Sequence, residues 1–410
     1  MATHVLFLVE NQPYPYDPRI RAQVAALVEE GYTVTVAGPT GEGFEAADEV
    51  INGVRVRRFQ PPPPGHGPFG YAREYAVSLF RLASLTWRTQ REDPVDVAFV
   101  CNPPDVLVIL AVPLARRGAA VVFDDRELSP ELFEAKFSRE GVVNRLLHRA
   151  LLWSERFGFL HADAVLVTNQ SYASNAFVRG GLGSDRVFVV GNGPDPCRIF
   201  PVDERPELRR GRPYLVLWMG AMSKQEGLDR LLAAADELVN RRGRSDVSFA
   251  IVGPGDVHEH LASEIARLGL GDAVEVRGRV DDDLVRAYMA TADVCVGVDE
   301  RSSMNDRAAM RKILEYMAMG RPVVQFPLTE MQRICGDATV YAANGDGRDL
   351  ALKIEALLDA PEERERLGEA ARARVTDNRL LWPQQVPALL AAVRTAIDAA
   401  ASRRGERGVR

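Results

Sequence analysis

Apolar residues in this chain come as short unbroken runs separated by longer amphipathic stretches. Residues 4–9 (HVLFLV), 33–37, 95–100, 119–123, 164–168 and 187–190 are runs of strand length. Between them, residues 19–30, 71–91 and 142–159 carry apolar positions near helical spacing. The opening order of strand, helix and strand is that of a βαβ unit. A second round starts at 214–219 and continues through 247–252, 274–278 and 323–326, with helical patterns at 284–290, 308–319, 350–358 and 386–401. Two rounds predict an α/β protein with two Rossmann-like, parallel-sheet domains, and 410 residues are too many for one ordinary core. The expected layout is a first domain over 1–195, a Pro- and Arg-rich linker over 196–212 and a second domain over 213–380. Residues 381–410 are expected to be a C-terminal helix able to pack back on the first domain, with a basic tail from Arg403 that frays. The four consecutive prolines in 60–69 predict a stiff loop there.

Composition narrows the class without changing this picture. Apolar residues make up 46% and charged residues 26%, as in a soluble globular protein, and the formal charge of -6 argues against a general nucleic-acid binder. The opening MATHVLFLVE has no basic stretch ahead of its apolar run, so it predicts a buried strand rather than a signal peptide. No apolar run reaches the roughly 20 residues of a membrane-spanning helix. Cys101, Cys197, Cys295 and Cys335 stand far apart, which fits reduced thiols and a cytoplasmic setting. The amphipathic stretches 71–91 and 142–159 interleave apolar residues with arginines. They fit core helices with an arginine-lined outer face or helices lying on a membrane surface, and both readings stay open.

Candidate chemistry gathers in 305–330 (NDRAAMRKILEYMAMGRPVVQFPLTE). A helix over 308–319 would stop at Gly320, with Ser303, Asn305 or Asp306 as its N-cap. Arg307, Arg311 and Lys312 then crowd a helix start where the macrodipole favours acids, which suggests either an anionic guest or a solvated charged face. The loops after the apolar runs hold the other polar candidates, since ligands of open α/β sheets sit outside the carboxyl ends of strands. These are Asn11 and Asp17 to Arg21, Asn102 to Asp105, Arg126 and Glu127, the turn 220–227, and Gly253. Asp281-Asp282-Asp283 contains a D-x-D, yet it precedes a helical stretch and reads as an N-cap; His258 and His260 point apart on a helix and make poor metal ligands.

The stretch from Lys312 to Val324 (KILEYMAMGRPVV) resembles the signature helix of the family-four retaining glycosyltransferases, which have the GT-B fold. The resemblance implies that Glu315 holds the nucleotide ribose, the role of the family's second glutamate. The first glutamate position falls on Arg307. A sub-branch of the family also lacks that first glutamate, and Asn305, Asp306, Met310, Lys312, Glu315, Glu330 and residues 336–338 fit its pattern. In the turn 220–227, the family's diphosphate-clamping arginine and lysine become Ala221 and Glu226, and the usual donor-facing histidine near Asp125 and Arg126 is absent. Implied donor-binding residues are Gly220, Ser223, Gly253, Arg279, Val280, Asn305, Asp306, Arg307, Met310, Arg311, Glu315 and Glu330. Implied acceptor-binding residues are Asn11, Asp17, Arg19 and Asn102, and Lys312, Lys224, Glu127 and Arg126 are the catalytic candidates. The expected activity is metal-independent transfer of a sugar, with retention, from a nucleoside-diphosphate sugar (UDP foremost) to a hydroxyl of a small-molecule or lipid-linked glycan. No cofactor is expected, the site would be cytoplasmic or peripheral at the inner face of a membrane, and the sequence assigns no oligomeric state. Alternatives are a non-catalytic subunit that binds or activates a partner, and a nucleotide-sugar epimerase.

Overall fold

A computed structural model describes residues 2–63, 65, 67–137 and 141–408. The chain divides into two compact units, residues 1–191 with 385–410, and residues 192–384. The segment 196–212, expected as a linker, lies inside the second unit, where Ile199 and Leu208 are buried in its core.

The first unit runs β1 (His4–Leu8), α1 (Pro18–Glu29), β2 (Thr33–Pro39), β3 (Asp48–Ile51), β4 (Val54–Phe59), α2 (Gly67–Glu92) and β5 (Val97–Cys101). It continues with α3 (Val108–Arg116), β6 (Ala120–Asp125), α4 (Ser129–Lys136), α5 (Val142–His161), β7 (Ala164–Val167), α6 (Gln170–Val178) and β8 (Val187–Val189). Its strands order as β3-β4-β2-β1-β5-β6-β7-β8, parallel except for the β3–β4 hairpin. That hairpin is absent from the expectations above. Its strand DEVI is polar and half exposed, and the signal for it is Asn52-Gly53, both at positive φ, as a two-residue hairpin turn requires. Strands β1 and β5 are buried on both faces. Leu6, Leu8, Ala98 and Val100 pack with Leu82 of α2, Leu107 just ahead of α3, Leu114 of α3 and Phe159 of α5, while Phe7 stacks on Phe99 at 4.2 Å between ring centroids. Each such aromatic burial stabilises by about 1.5–3 kcal/mol. The stiff loop ends early, since α2 begins at Gly67; Pro64 and His66 lie outside the described residues.

The second unit runs β9 (Tyr214–Met219), α7 (Leu228–Asp236), β10 (Val247–Val252), α8 (His258–Leu268), β11 (Val274–Arg277), α9 (Asp282–Thr291), β12 (Val294–Gly297) and α10 (Arg311–Ala318). Then follow β13 (Val323–Gln325), α11 (Thr329–Cys335), β14 (Val340–Tyr341), α12 (Gly347–Leu358) and α13 (Pro361–Asp377). The all-parallel order is β11-β10-β9-β12-β13-β14. Alternation along β9 divides its core: Val216 and Trp218 face α7 and α12, whereas Leu215 and Leu217 face α9 and α10. A last helix, α14 (Trp382–Gly408), crosses back to the first unit. Its basic end does not fray where expected. Arg403 is ion-paired with Asp163, and Arg394 Nη2 lies 2.6 Å from Glu30 Oε1.

In both sheets the chain order reverses once near the middle, between β1 and β5 and between β9 and β12. At such switch points the flanking loops diverge and leave a crevice at the strands' carboxyl ends, the usual place for a ligand in open α/β sheets.

Candidate functional site

At the β1/β5 switch point the loops close around Asn102, just past β5. This fully buried side chain accepts from the amides of Arg126 and Glu127 at 2.6 and 3.1 Å through Oδ1. Its Nδ2 donates to Asp105, Asp125 and the Glu127 carbonyl at 2.7 to 2.8 Å. It therefore pins the turn after β6, and its expected role as an acceptor contact gives way to that of an internal staple. The pinned turn aims Arg126 at Asp17 (2.5 Å), with the Asn102 carbonyl at 3.0 Å and Asn11 Oδ1 at 3.4 Å. Asp17 also caps α1, accepting from the Arg19 and Ile20 amides at 2.8 and 3.2 Å. So the structure brings Asn11, Asp17 and Arg126 together, with Glu127 exposed beside them.

Arg19 does not join them. It is buried, bidentate on Asp124 at 2.6 and 3.0 Å, and donates to the Val190 carbonyl at 2.7 Å. Gln23 adds a third donor to Asp124 at 3.0 Å. The sequence expectation of an acceptor-facing Arg19 is corrected: it is an internal tie between α1, β6 and the end of the first unit's sheet. Below Asn102 lies a group of buried acids. Burial pushes the Asp105 carboxyl up to about 6 and Glu155 up to about 7, and it raises Asp125 well above the ordinary range, aided by the charge of Asp105.

At the β9/β12 switch point the turn after β9 meets the start of α10. Gly253 has a φ of +145°, and a Cβ there would overlap the Gly220 carbonyl oxygen, so the two turns pack backbone on backbone. Lys312, in the first turn of α10, crosses over Gly220 and lies 4.8 Å above the Trp218 ring. Its ammonium pairs with Glu226 and, at 3.0 Å, with Asp299 just beyond β12. Burial pulls the lysine pKa down, but Asp299 and Glu226 more than offset it, leaving it above the ordinary value. Burial and Asp299 in turn raise Glu226. Two carboxylates thus share one cation. Lys312 is not the unmatched cation the sequence suggested, and Glu226, where the resemblance led one to expect a clamping lysine, is instead its counter-ion.

One turn further along α10 the ratio is inverted. Glu315 accepts from Arg311 Nε and from Arg198 Nη1, both at 2.9 Å and both through Oε1. Arg198 also reaches Asp282 at 3.0 Å. Tyr316, on the same helix, accepts from the Met219 amide at 2.6 Å and locks α10 to the end of β9.

The helix itself starts later than expected. Ala308 and Met310 are extended, so α10 begins at Arg311, and neither Ser303, Asn305 nor Asp306 caps it. Asp306 instead holds the start of α11, accepting from the Thr329 amide at 2.8 Å and hydroxyl at 2.7 Å, and the Met310 amide donates to Met331 Sδ at 3.1 Å. Asn305 is a buried loop staple to the Glu300 carbonyl at 2.9 Å, and Arg307 falls outside the first helical turn. Glu330 is buried and ion-paired with Arg333, so its expected donor contact becomes an internal one. Ser223 is half buried, Lys224 is exposed in a recess shared with Asp229 and His260, and Arg279 is exposed while Val280 packs on the core. Asp281 caps α9, accepting from the Leu284 amide at 2.8 Å. Among the described residues no three His, Cys, Asp or Glu side chains converge as metal ligands. Asp299 and Arg198 are the members that sequence reading omits. Asp299 carries a faint signal, as the first acid after an apolar run; Arg198 carries none, being 117 residues from its partner.

Two family models match the two units in order. The glycosyl transferase 4-like domain covers residues 16–193 and the glycosyl transferases group 1 model covers 213–360. Each of the two units thus matches a glycosyl transferase family model. Among curated relatives, the alpha-D-kanosaminyltransferase of Streptomyces kanamyceticus is 28% identical over 228 residues, 53% of this chain and 57% of the relative. The sulfoquinovosyl transferase of Arabidopsis thaliana is 27% identical over 393 residues, 90% of this chain and 69% of the relative. For the first relatives matched, the chain spans little more than half of their length. Among solved structures, sucrose-phosphate synthase of Thermosynechococcus elongatus superposes with a TM-score of 0.74 at 17% identity, over 99% of this chain and 100% of that one. The HepE protein of Anabaena in complex with UDP gives 0.65 at 17% identity, over 99% and 100%. At these identities the likeness is one of fold, and that fold is GT-B.

Proposed function

We propose that this protein moves a sugar from a nucleoside-diphosphate donor, a UDP-sugar foremost, to a hydroxyl of a small-molecule or lipid-linked glycan, with retention and without a metal. The observation that carries the reading is Glu315, fixed by Arg198 and Arg311 at the second unit's switch point, in the position where the family holds the ribose. Both arginines bind Oε1, so Oε2 meets no protein donor among the described residues and is available to ribose hydroxyls. That the structural neighbour HepE was solved with UDP supports the choice of base.

In this reading the bond from the anomeric carbon to the β-phosphate oxygen breaks while the acceptor oxygen bonds to the same face of that carbon. The acceptor's proton passes to the departing diphosphate, so the protein supplies no nucleophile. Its task is to balance charge that grows on the leaving group, which Lys312 and Arg311, by trading part of their present ion pairing, and the amides at the start of α10 can do. Asn11, Asp17 and Arg126, with Glu127 beside them, orient the acceptor hydroxyl. A cytoplasmic setting, with peripheral attachment to the membrane for a lipid-linked acceptor, fits this reading.

One observation favours a second reading. Lys312 already has two acid partners, an arrangement that would suit a non-catalytic subunit that keeps the fold and binds or activates a partner. Calorimetric titration with UDP and GDP, followed by product analysis over a nucleotide-sugar panel with and without EDTA, separates the two. Nucleotide binding with EDTA-insensitive turnover is the expected result. Absence of nucleotide binding would sink the transferase reading, and turnover lost to EDTA and restored by Mg²⁺ would overturn its metal-free form.

A further inference from the structure

The outer face of α5 combines apolar exposure with charge of one sign. Val142, Leu146, Trp153 and Leu160 fall within one narrow arc of the helix, and Trp153 and Leu146 are 65% and 58% exposed. Trp153 stacks on Phe157 at 5.4 Å and Phe157 on His161 at 3.9 Å, extending the apolar stripe along the helix. Arg145, Arg149 and Arg156, all exposed, line its flank. The single acid of α5, Glu155, is turned inward and ion-paired with Arg179 at 3.0 Å. The surface continues sideways. Helices α2, α3 and α5 bury their opposite sides on the same face of the first unit's sheet, and α2 and α3 present Phe80 (77% exposed), Ile109, Arg73 and Arg116 outward.

We propose that this helical layer is a docking surface for an anionic lipid bilayer, with α5 lying in the interfacial plane. Leaving a tryptophan, two leucines and a valine in water is costly unless something covers them. A helix with an apolar stripe bordered by arginines suits a headgroup boundary, where the stripe enters the acyl region and the guanidiniums meet phosphates. The charge argues against a second copy of the chain. A two-fold contact through α5 sets the same patch against itself and brings like-charged arginines face to face. The proposal stands apart from the assignment of sugar transfer, because it concerns a surface and not the two switch points.

The test is co-sedimentation of the full chain with vesicles of phosphatidylcholine alone and of phosphatidylcholine rich in phosphatidylglycerol, with no donor or acceptor present. The wild type is expected to bind the anionic vesicles at least about tenfold more tightly, with a blue shift of tryptophan emission that Trp153→Phe removes. The double variant L146D/W153D, altered only at exposed positions, should lose binding by about tenfold or more. R145Q/R149Q/R156Q should bring affinity down toward that for neutral vesicles, about fivefold per arginine. Vesicle binding by L146D/W153D equal to that of wild type would overturn the proposal. So would a wild type that ignores vesicles and runs as a dimer that L146D/W153D converts to monomer. Turnover is not read, so failure of the transferase assignment leaves this outcome unaffected.

Discussion

The two switch points occupy equivalent places in similar sheets, yet their charges are arranged on different principles. In the first unit each arginine has a matching acid, Arg19 with buried Asp124 and Arg126 with Asp17. In the second unit the counts do not match. Lys312 serves Glu226 and Asp299, while Glu315 takes both Arg311 and Arg198, the latter shared with Asp282. A matched buried pair has nothing to gain from a guest and acts as a fixed strut. In a shared cluster the central ion keeps a second partner when one contact is traded for a ligand, so the exchange does not strip it of all its counter-charge. On the proposed transfer, the second unit would be the one to trade partners with an anionic, hydroxyl-bearing ligand, and the first would present a rigid rim.

The comparison breaks most visibly at Arg19. Arg19→Ala strands fully buried Asp124 and should cost the first unit about 3–5 kcal/mol, read by denaturant unfolding, whereas Arg126→Ala should cost less, because Asp17 is less deeply buried and keeps the Arg19 and Ile20 amides. Equal costs would show that the two arginines are not distinguished as strut and rim.

Next in size is Lys312. Lys312→Ala should lower kcat on the order of 10²-fold and also destabilise the second unit, since Glu226 and Asp299 lose their common cation. Adding Glu226→Gln should restore thermal stability but not the rate. Recovery of both would mean that Lys312 acts only on the fold.

A smaller effect belongs to Glu315. Glu315→Gln should weaken UDP affinity about tenfold with an unchanged melting temperature, because one charge-assisted hydrogen bond contributes about 1.5–3 kcal/mol. Unchanged calorimetric affinity would remove Glu315 from the ribose role and with it the notion of a tradeable cluster.

The subtlest test is pH. Asp105 holds its proton more tightly folded, at about 6, than its ordinary 3.8. Its contribution to stability is therefore complete below about pH 4 and is lost as pH rises through about 6, with Glu155 following the same sign near 7. Asp105→Asn should raise the melting temperature at pH 8, by roughly 5 °C, and leave it nearly unchanged at pH 4.5. A shift of equal size at both pH values would assign the effect to packing rather than to charge.

Much of this molecule is set by short-range pattern. Unbroken apolar runs such as HVLFLV and VSFAIV become doubly covered parallel strands because a strand with two apolar faces has no other stable home. Asp281 caps α9 because a carboxylate ahead of free amides needs no distant partner, and the Lys312–Val324 stretch carries the family likeness in its own residues. Even the β3–β4 hairpin has its signal in Asn52-Gly53. Other features only the tertiary structure decides: where α10 begins, that Arg19 turns inward, that Lys312 meets two acids, that Arg198 reaches Glu315 and that Arg403 finds Asp163. The reason is distance along the chain. Capping and periodicity are sums over a few neighbouring residues, whereas an ion pair between residues 117 or 240 apart exists only once strand order has brought their loops to the same edge. The sequence alone thus determines which residues carry charge at the ends of strands, and the fold determines which of those charges remain available to a ligand.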